Sequence, residues 1–179
     1  MTRPFVVDVG NLMRNPGTRK REERSGHLPG LSVLGVTVPP DAEVAVDVTI
    51  EGMDDRSLVA NGTVSTQWAS ECSRCLRPIT GKVISSVREL FEDPSRAAPE
   101  GEGSAVGDAD IYPLHGEQVD LEPLARDAVL LALPPAPLCA DDCAGLCPVC
   151  GADRNEADCG CDTTVRDERW AALDVLKDN

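Results

Sequence analysis

The chain has 179 residues, a mass of 19.0 kDa, a formal net charge of −14 and a pI near 4.4; aromatic side chains make up only 3% of it. That length allows one domain, or one with a small appendage, whose core is built mainly from aliphatic side chains. The acidic balance argues against wholesale binding to a phosphate backbone, which needs clustered Lys and Arg, and there is no apolar run of about 18 residues to span a membrane.

Residues 5–9 alternate weakly and read as a first strand. Residues 11–30 are polar, basic and broken by Pro16, Gly17, Gly26 and Pro29, which predicts a mobile arm. Arg14, Arg19, Lys20, Arg21 and Arg24 stand there against Glu22 and Glu23. They are candidate RNA-phosphate contacts, or simply a solvated charge run.

Residues 43–51 alternate cleanly, with Val44, Val46, Val48 and Ile50 on one face, the period of a half-buried strand. Residues 52–55 turn the chain, and residues 57–70 form a second strand, with a bulge expected at Asn61-Gly62. Residues 78–91 form a third, with Ile79, Val83 and Val87 sharing a face. Residues 93–109 contain no aromatic side chain and read as an acidic, flexible linker. An extended segment follows over residues 111–119.

Asp120 is placed to cap a helix, with Pro123 in its first turn. Leu121, Leu124, Ala125, Ala128, Val129 and Ala132 recur at helical spacing, while Leu130, Leu131 and Leu133 make the last turn apolar all round and predict its burial. The proline-rich run from Pro134 to Pro137 stops the helix and stiffens the approach to Cys139. A last amphipathic helix is expected over residues 165–177, with Trp170, Leu173 and Leu176 on one stripe.

Eight cysteines carry the clearest chemistry. Cys72 and Cys75 form a C-x2-C pair in the connection between the second and third strands. The remainder run Cys139-x3-Cys143-x3-Cys147-x2-Cys150-x8-Cys159-x-Cys161. Eight thiols make two sets of four, and four thiolates are the ligand set of a tetrahedral structural zinc ion. In Cys147-Pro148-Val149-Cys150-Gly151 the glycine supplies the positive φ that a two-thiolate knuckle needs. The N-terminal sequence has no signal-peptide core, so a cytoplasmic, reducing setting is expected, where clustered thiols bind metal more often than they pair. Disulfides and a redox-active Cys72/Cys75 pair are the competing readings.

Three ligand partitions are conceivable: Cys72, Cys75, Cys139 and Cys143 against Cys147, Cys150, Cys159 and Cys161; a local quartet from Cys139 to Cys150 with Cys72/Cys75 joining Cys159/Cys161; or one filled site only. The first is preferred, because the short gap between Cys143 and Cys147 would cramp a local quartet. Such closed sites have no open coordination position and do no chemistry. The two histidines, His27 and His115, have no triad context, and no GxSxG, HExxH or Walker loop is present. The expectation is a non-enzymatic protein without a small-molecule substrate.

The fold class expected is α+β: an antiparallel β-sheet or partly open barrel with one or two helices and a C-terminal Cys-rich zinc-binding segment. The expected organisation is a β-rich core over 1–92 with the Cys72/Cys75 knuckle, the linker over 93–109, a strand and helix packing on the core over 110–137, and the zinc segment with its helix over 138–179.

The run ECSRCLRPI after a strand, then VDLEPLARDAVLLALPPAPLC and a cysteine-rich tail, resembles the YceD family of large ribosomal RNA subunit accumulation proteins. Some relatives carry histidines at the positions of Cys139 and Cys143 and lack the four later cysteines. The resemblance therefore treats Cys72, Cys75, Cys139 and Cys143 as one unit and the tail site as an addition. It implies a cytoplasmic bacterial factor for ribosome biogenesis, needed to make, process or keep large-subunit ribosomal RNA, with an RNA precursor or assembling subunit as partner. The acidic body suggests a second kind of partner, a basic ribosomal protein to be escorted.

Overall fold

The structure, a computed structural model, describes residues 3–54, 57–93, 111–163 and 169. These fall into two compact units, residues 1–70 with 80–135 and residues 71–79 with 136–179. All of the expected C-terminal helix but Arg169, and all of the expected linker but Asp93, lie outside the described residues.

Among the described residues, the first unit is a mixed sheet with two helices, an α+β arrangement. Its strands are β1 (Val6–Asp8), β2 (Arg19–Gly26), β3 (Ser32–Val33), β4 (Val36–Thr37), β5 (Val44–Gly52), β6 (Ser57–Glu71), β7 (Pro78–Glu92), β8 (Ile111–His115) and β9 (Gln118–Asp120); its helices are α1 (Gly10–Arg14) and α2 (Glu122–Ala132). The strand order is β1-β9-β8-β7-β6-β4-β3, with β5 paired to β6 and carrying β2. β6 has fifteen residues, enough to pair with β5 over Leu58–Ser65 and with β4 at Ala69.

The alternation in β5 does what its period dictates: Val44, Val46, Val48 and Ile50 are buried, and the residues between them are not. Val83 and Val87 of β7 join the core, together with the fully buried Phe5, Leu58, Phe91, Leu114, Leu121 and Leu124. Each such aliphatic or aromatic side chain contributes at most about 1.5–3 kcal/mol by burial.

The expected all-antiparallel sheet is corrected at one place. β7 and β8 run parallel, with Leu90 opposite Ile111. Alternation identifies a strand but carries no direction, and the stretch between Glu92 and Ile111 exceeds the dozen or so residues that a parallel return requires. The extended segment at 111–119 is a tight hairpin, β8–β9, turned at Gly116 with φ +64°.

Asn61 and Gly62 do not form the expected bulge, since they pair opposite Thr49 and Val48 in unbroken register. A Cβ on Gly62 would stand 2.1 Å from the Asp47 carbonyl oxygen. The glycine permits close approach of two backbones rather than an irregularity.

The predicted mobile arm is instead structured. β2 pairs with β5 along eight residues, from Arg19 opposite Glu51 to Gly26 opposite Val44. Charge composition alone suggests solvation, but β2 lies on a strand whose own charges complement it. Arg21 donates to both Asp47 carboxylate oxygens, at 2.9 and 2.7 Å, and Arg19 pairs with Glu51 at 3.0 Å.

In α2, Leu124, Ala125, Ala128 and Val129 are buried as the spacing predicts. The expected cap is corrected by one residue: Leu121 stands at the N-cap without a side-chain bond, and Asp120 before it accepts from the Glu122 N–H at 2.9 Å. The last turn departs from the expectation of all-round burial: Leu133 is buried, but Leu131 is 88% exposed. At 3.6 residues per turn, Leu131 points away from the stripe that packs. Leu133, preceding Pro134, leaves the helix in an extended conformation (ψ 133°). Among the described residues, no helix is long and apolar enough to cross a membrane.

Candidate metal centre

The second unit gathers all eight cysteines into two groups. Cys72, Cys75, Cys139 and Cys143 form one and Cys147, Cys150, Cys159 and Cys161 the other, and in each group the four sulfurs lie within 4.8 Å of one another. This is the first of the three partitions. No two cysteines are joined as a disulfide. Cys72 and Cys143 Sγ are 3.8 Å apart, and Cys75 and Cys139 Sγ 3.6 Å. Four sulfurs about 2.3 Å from a shared tetrahedral ion would stand about 3.8 Å from each other. The donor set and its spacing fit a metal.

Both groups rest on the same local fold. At the tip of the β6–β7 hairpin the Cys72 N–H donates to the Arg77 carbonyl at 2.8 Å and the Leu76 N–H to the Cys72 carbonyl at 2.9 Å. In the second knuckle the Cys147 N–H donates to the Ala152 carbonyl at 2.8 Å and the Gly151 N–H to the Cys147 carbonyl at 2.9 Å. The turn aims backbone N–H groups at the first sulfur of each pair. Burial would push the Cys72 thiol up, but the Cys75, Arg74 and Cys139 backbone groups bring it down to about 6. The Cys150 and Val149 backbone groups likewise lower Cys147 to about 6.

The opposite holds across each group. Hydrogen bonding to Cys143 and Cys75 pushes Cys139 up to about 12, and Cys150 and Cys159 push Cys161 up to about 12. Four thiols this close cannot all ionise beside one another, and a divalent cation removes that conflict.

The first group is the better enclosed. Cys72, Cys75 and Cys143 are buried against Ile79, Leu138 and Leu146, whereas only Cys147 is buried in the second. Around them lies a polar layer that spacing rules did not identify. Arg74 donates to the Cys143 carbonyl at 2.9 Å, Arg77 pairs with Asp153 at 3.2 Å, and Asn155 donates to Cys143 Sγ at 3.5 Å. The available signal was the run Asp153-Arg154-Asn155 inside the Cys150–Cys159 loop, since Asp and Asn order such loops through local side-chain–backbone bonds.

A family model described as large ribosomal RNA subunit accumulation protein YceD matches residues 60–177. The chain belongs to the YceD family. It is 34% identical over 171 residues to an uncharacterised protein of Mycobacterium tuberculosis, covering 95% of this chain and 80% of that one. A Mycobacterium leprae protein is 36% identical over 152 residues, covering 83% and 66%. A chloroplastic YceD homologue of Zea mays, named a large ribosomal RNA subunit accumulation protein, is 27% identical over 179 residues, covering 87% and 60%. No solved structure matches the chain.

The YceD match spans all eight cysteines and α2 but begins after the basic residues of β2. Those residues do not form one patch. Lys20, Glu22 and Arg24 share the strand face of Val46, Val48 and Ile50, where both cations pair with the buried Glu22 carboxylate at 2.6 Å. Arg19 and Arg21 face the other way. Arg14, on α1, pairs with Glu117. The outward face of the sheet adds a basic residue that the sequence reading passed over: Arg88 of β7 lines a cleft of about 440 Å³ with Arg19, Thr49, Val59, Asn61 and the acidic Glu51.

Proposed function

We propose that this YceD-family chain is a non-enzymatic, cytoplasmic ribosome-biogenesis factor that holds two structural zinc ions and contacts large-subunit ribosomal RNA or its precursor. The observation that carries this reading is the closure of eight sulfurs into two four-thiol cages of zinc-like spacing, in a chain belonging to a ribosomal-RNA-accumulation family. Cys72, Cys75, Cys139 and Cys143 would hold one ion and the later four the other. The zinc supplies cross-linking, not a reactive water, because four thiolates saturate it. The hairpin tip and the C-terminal segment are thereby fixed to each other within one unit.

RNA contact is assigned to the outward sheet face. Arg19 and Arg21 lie on it beside Thr49 and Asn61, and Arg88 has no carboxylate partner among the described residues. Arginine forks suit phosphate oxygens, and the small polar neighbours leave the backbone reachable. Arg14, Lys20 and Arg24 are weaker candidates because of where they lie: Lys20 and Arg24 are on the opposite face of β2 and Arg14 is on α1. Phosphate would have to displace a carboxylate at Arg19 and Arg21 as well.

Two measurements test the reading. Purified protein should contain two zinc ions per chain; metal-free, folded protein with reactive thiols would replace it with the redox reading. In gel shifts with large-subunit RNA, Arg19→Ala, Arg21→Ala and Arg88→Ala should each weaken binding and flatten the salt slope by roughly one unit or less. Unchanged affinity and slope in all three would remove the sheet face from the function.

The pairing of every basic residue in the 14–24 cluster with an acid favours a second reading. An acidic body of net charge −14 would then escort a basic ribosomal protein. Recovery of such a protein, without RNA, in a pull-down supports that alternative.

A further inference from the structure

The two cages are adjoining parts of one polar network, and Asn155 is the link. It belongs to the loop that Cys150 and Cys159 close, yet it touches a sulfur of the other cage. Its Oδ1 accepts from the Ala144 N–H at 2.8 Å, which fixes the orientation of the amide. Nδ2 therefore faces Cys143 Sγ at 3.5 Å and Asp153 Oδ1 at 2.6 Å. Asp153 is itself held from two sides: its Oδ1 accepts the Asn155 N–H at 2.9 Å, and its Oδ2 accepts from Arg77, which follows the first knuckle, at 3.2 Å.

The backbone repeats the connection. The Leu146 N–H donates to the Arg74 carbonyl at 3.0 Å, inside the first knuckle, and Leu146 bridges Asp153 in the second. Residues 145–147 and 152–154 thus form a short ribbon with one side on each cage, closed by the Cys147 N–H to Ala152 and the Arg154 N–H to Gly145 bonds.

We propose that the cages bind metal as a coupled pair, in which the ion of the C-terminal cage secures the ion of the first cage through Asn155. The inference rests on the metal reading above. Four thiolates around a divalent ion leave an excess of negative charge, and an N–H aimed at one sulfur offsets part of it. Asn155 can supply that N–H only while its loop is ordered, and the ends of the loop are the thiols of the C-terminal cage. Loading the outer cage therefore preorganises a hydrogen bond to the inner one. Asn155 is a positioning residue: it ligates nothing.

The test uses full-length, zinc-loaded protein, a chelator in excess and alkylation of released thiols mapped cysteine by cysteine. In the wild type two ions leave, and the thiols of each cage become reactive together. Asn155→Ala should speed exposure of Cys72, Cys75, Cys139 and Cys143 by about 10–100-fold while changing Cys147 and Cys150 far less. Asn155→Asp keeps the acceptor for Ala144 but sets a carboxylate near the thiolate, so the inner ion should leave at least as fast as in Asn155→Ala. Cys159→Ser/Cys161→Ser, which opens the outer cage, should accelerate loss from the inner one by a similar factor. Unchanged inner-cage exposure in all three variants overturns the coupling and leaves the two-zinc reading standing. Equal acceleration of both cages in Asn155→Ala overturns it too, as general destabilisation. A wild type that carries no zinc removes both readings.

Discussion

Leu76 and Gly151 occupy the same backbone position in the two knuckles. Each donates its N–H to the carbonyl of the first cysteine at 2.9 Å, and each has positive φ, +60° for Leu76 and +75° for Gly151. Glycine adopts that conformation freely, whereas a leucine is strained there by roughly 1–2 kcal/mol. Leu76 is 56% exposed, so its side chain has little burial to offset the strain. Leu76→Gly should stabilise the zinc-loaded protein by up to about 1 kcal/mol, the relief being partly cancelled by the greater freedom of glycine in the unfolded chain. Gly151→Ala should cost about 1–2 kcal/mol. Denaturant unfolding at fixed zinc concentration reads both; a destabilised Leu76→Gly would mean that Leu76 is held by packing instead.

Gly62 should tolerate no side chain. Its added Cβ would meet the Asp47 carbonyl oxygen at 2.1 Å and Val48 Cα at 2.7 Å, both backbone atoms of the neighbouring strand. Gly62→Ala must push β5 from β6 and should cost about 3 kcal/mol. The atoms nearest to a Cβ on Gly81 belong to the Trp68 ring, the closest at 2.5 Å, and Gly81→Ala should cost less, because a side chain can shift where a backbone cannot. A smaller loss at Gly62 than at Gly81 would contradict this account of the strand pair.

Glu22 is 6% exposed and sits between Lys20 and Arg24. Glu22→Ala leaves two cations facing each other on the core side of β2, though both reach solvent and can be rehydrated in part. The expected loss is therefore about 1–2 kcal/mol, below that of a fully buried pair. Arg21→Ala, on the opposite face, should change stability little while weakening RNA binding. Comparing the two variants by denaturation and gel shift separates the structural side of β2 from the contact side.

Tyr112 is the only tyrosine in the chain, so its titration can be read without assignment. Partial burial, then a hydrogen bond from its hydroxyl to Asp127 Oδ2 at 2.7 Å, hold the phenol well above its ordinary value. A raised folded pKa means that this stabilisation is fully present below about pH 10 and is lost as pH rises through the folded value. Phenolate absorbance should appear near pH 10 in denatured protein and at clearly higher pH in the folded chain. Tyr112→Phe should remove that part of the alkaline loss of stability. Coincident titration of folded and denatured protein would exclude the contact.

Much of the fold was legible because it depends on period and spacing. The alternation of Val44, Val46, Val48 and Ile50 and the helical spacing of Leu124, Ala125, Ala128 and Val129 each identify a buried face without knowledge of its neighbours. The short gap between Cys143 and Cys147 favoured, among three partitions, the grouping that the structure shows. What stayed hidden depends on a partner. β2 reads as a solvated arm until Glu51 and Asp47 are set beside it, and the parallel β7–β8 pairing leaves no mark on either strand. Asn155 is invisible as a sulfur donor because nothing in its own neighbourhood reveals that Cys143 lies within reach.

The inner cage also imposes an order on biosynthesis. Cys75 and Cys139 are 64 positions apart. At about 5–20 residues per second, a translating ribosome adds the second pair roughly 3–13 s after the first. Throughout that interval the emerging hairpin tip carries two thiols with no fellow ligands, open to oxidation or to capture by stray metal. Completion of the cage consequently waits until Cys139 and Cys143 have been made.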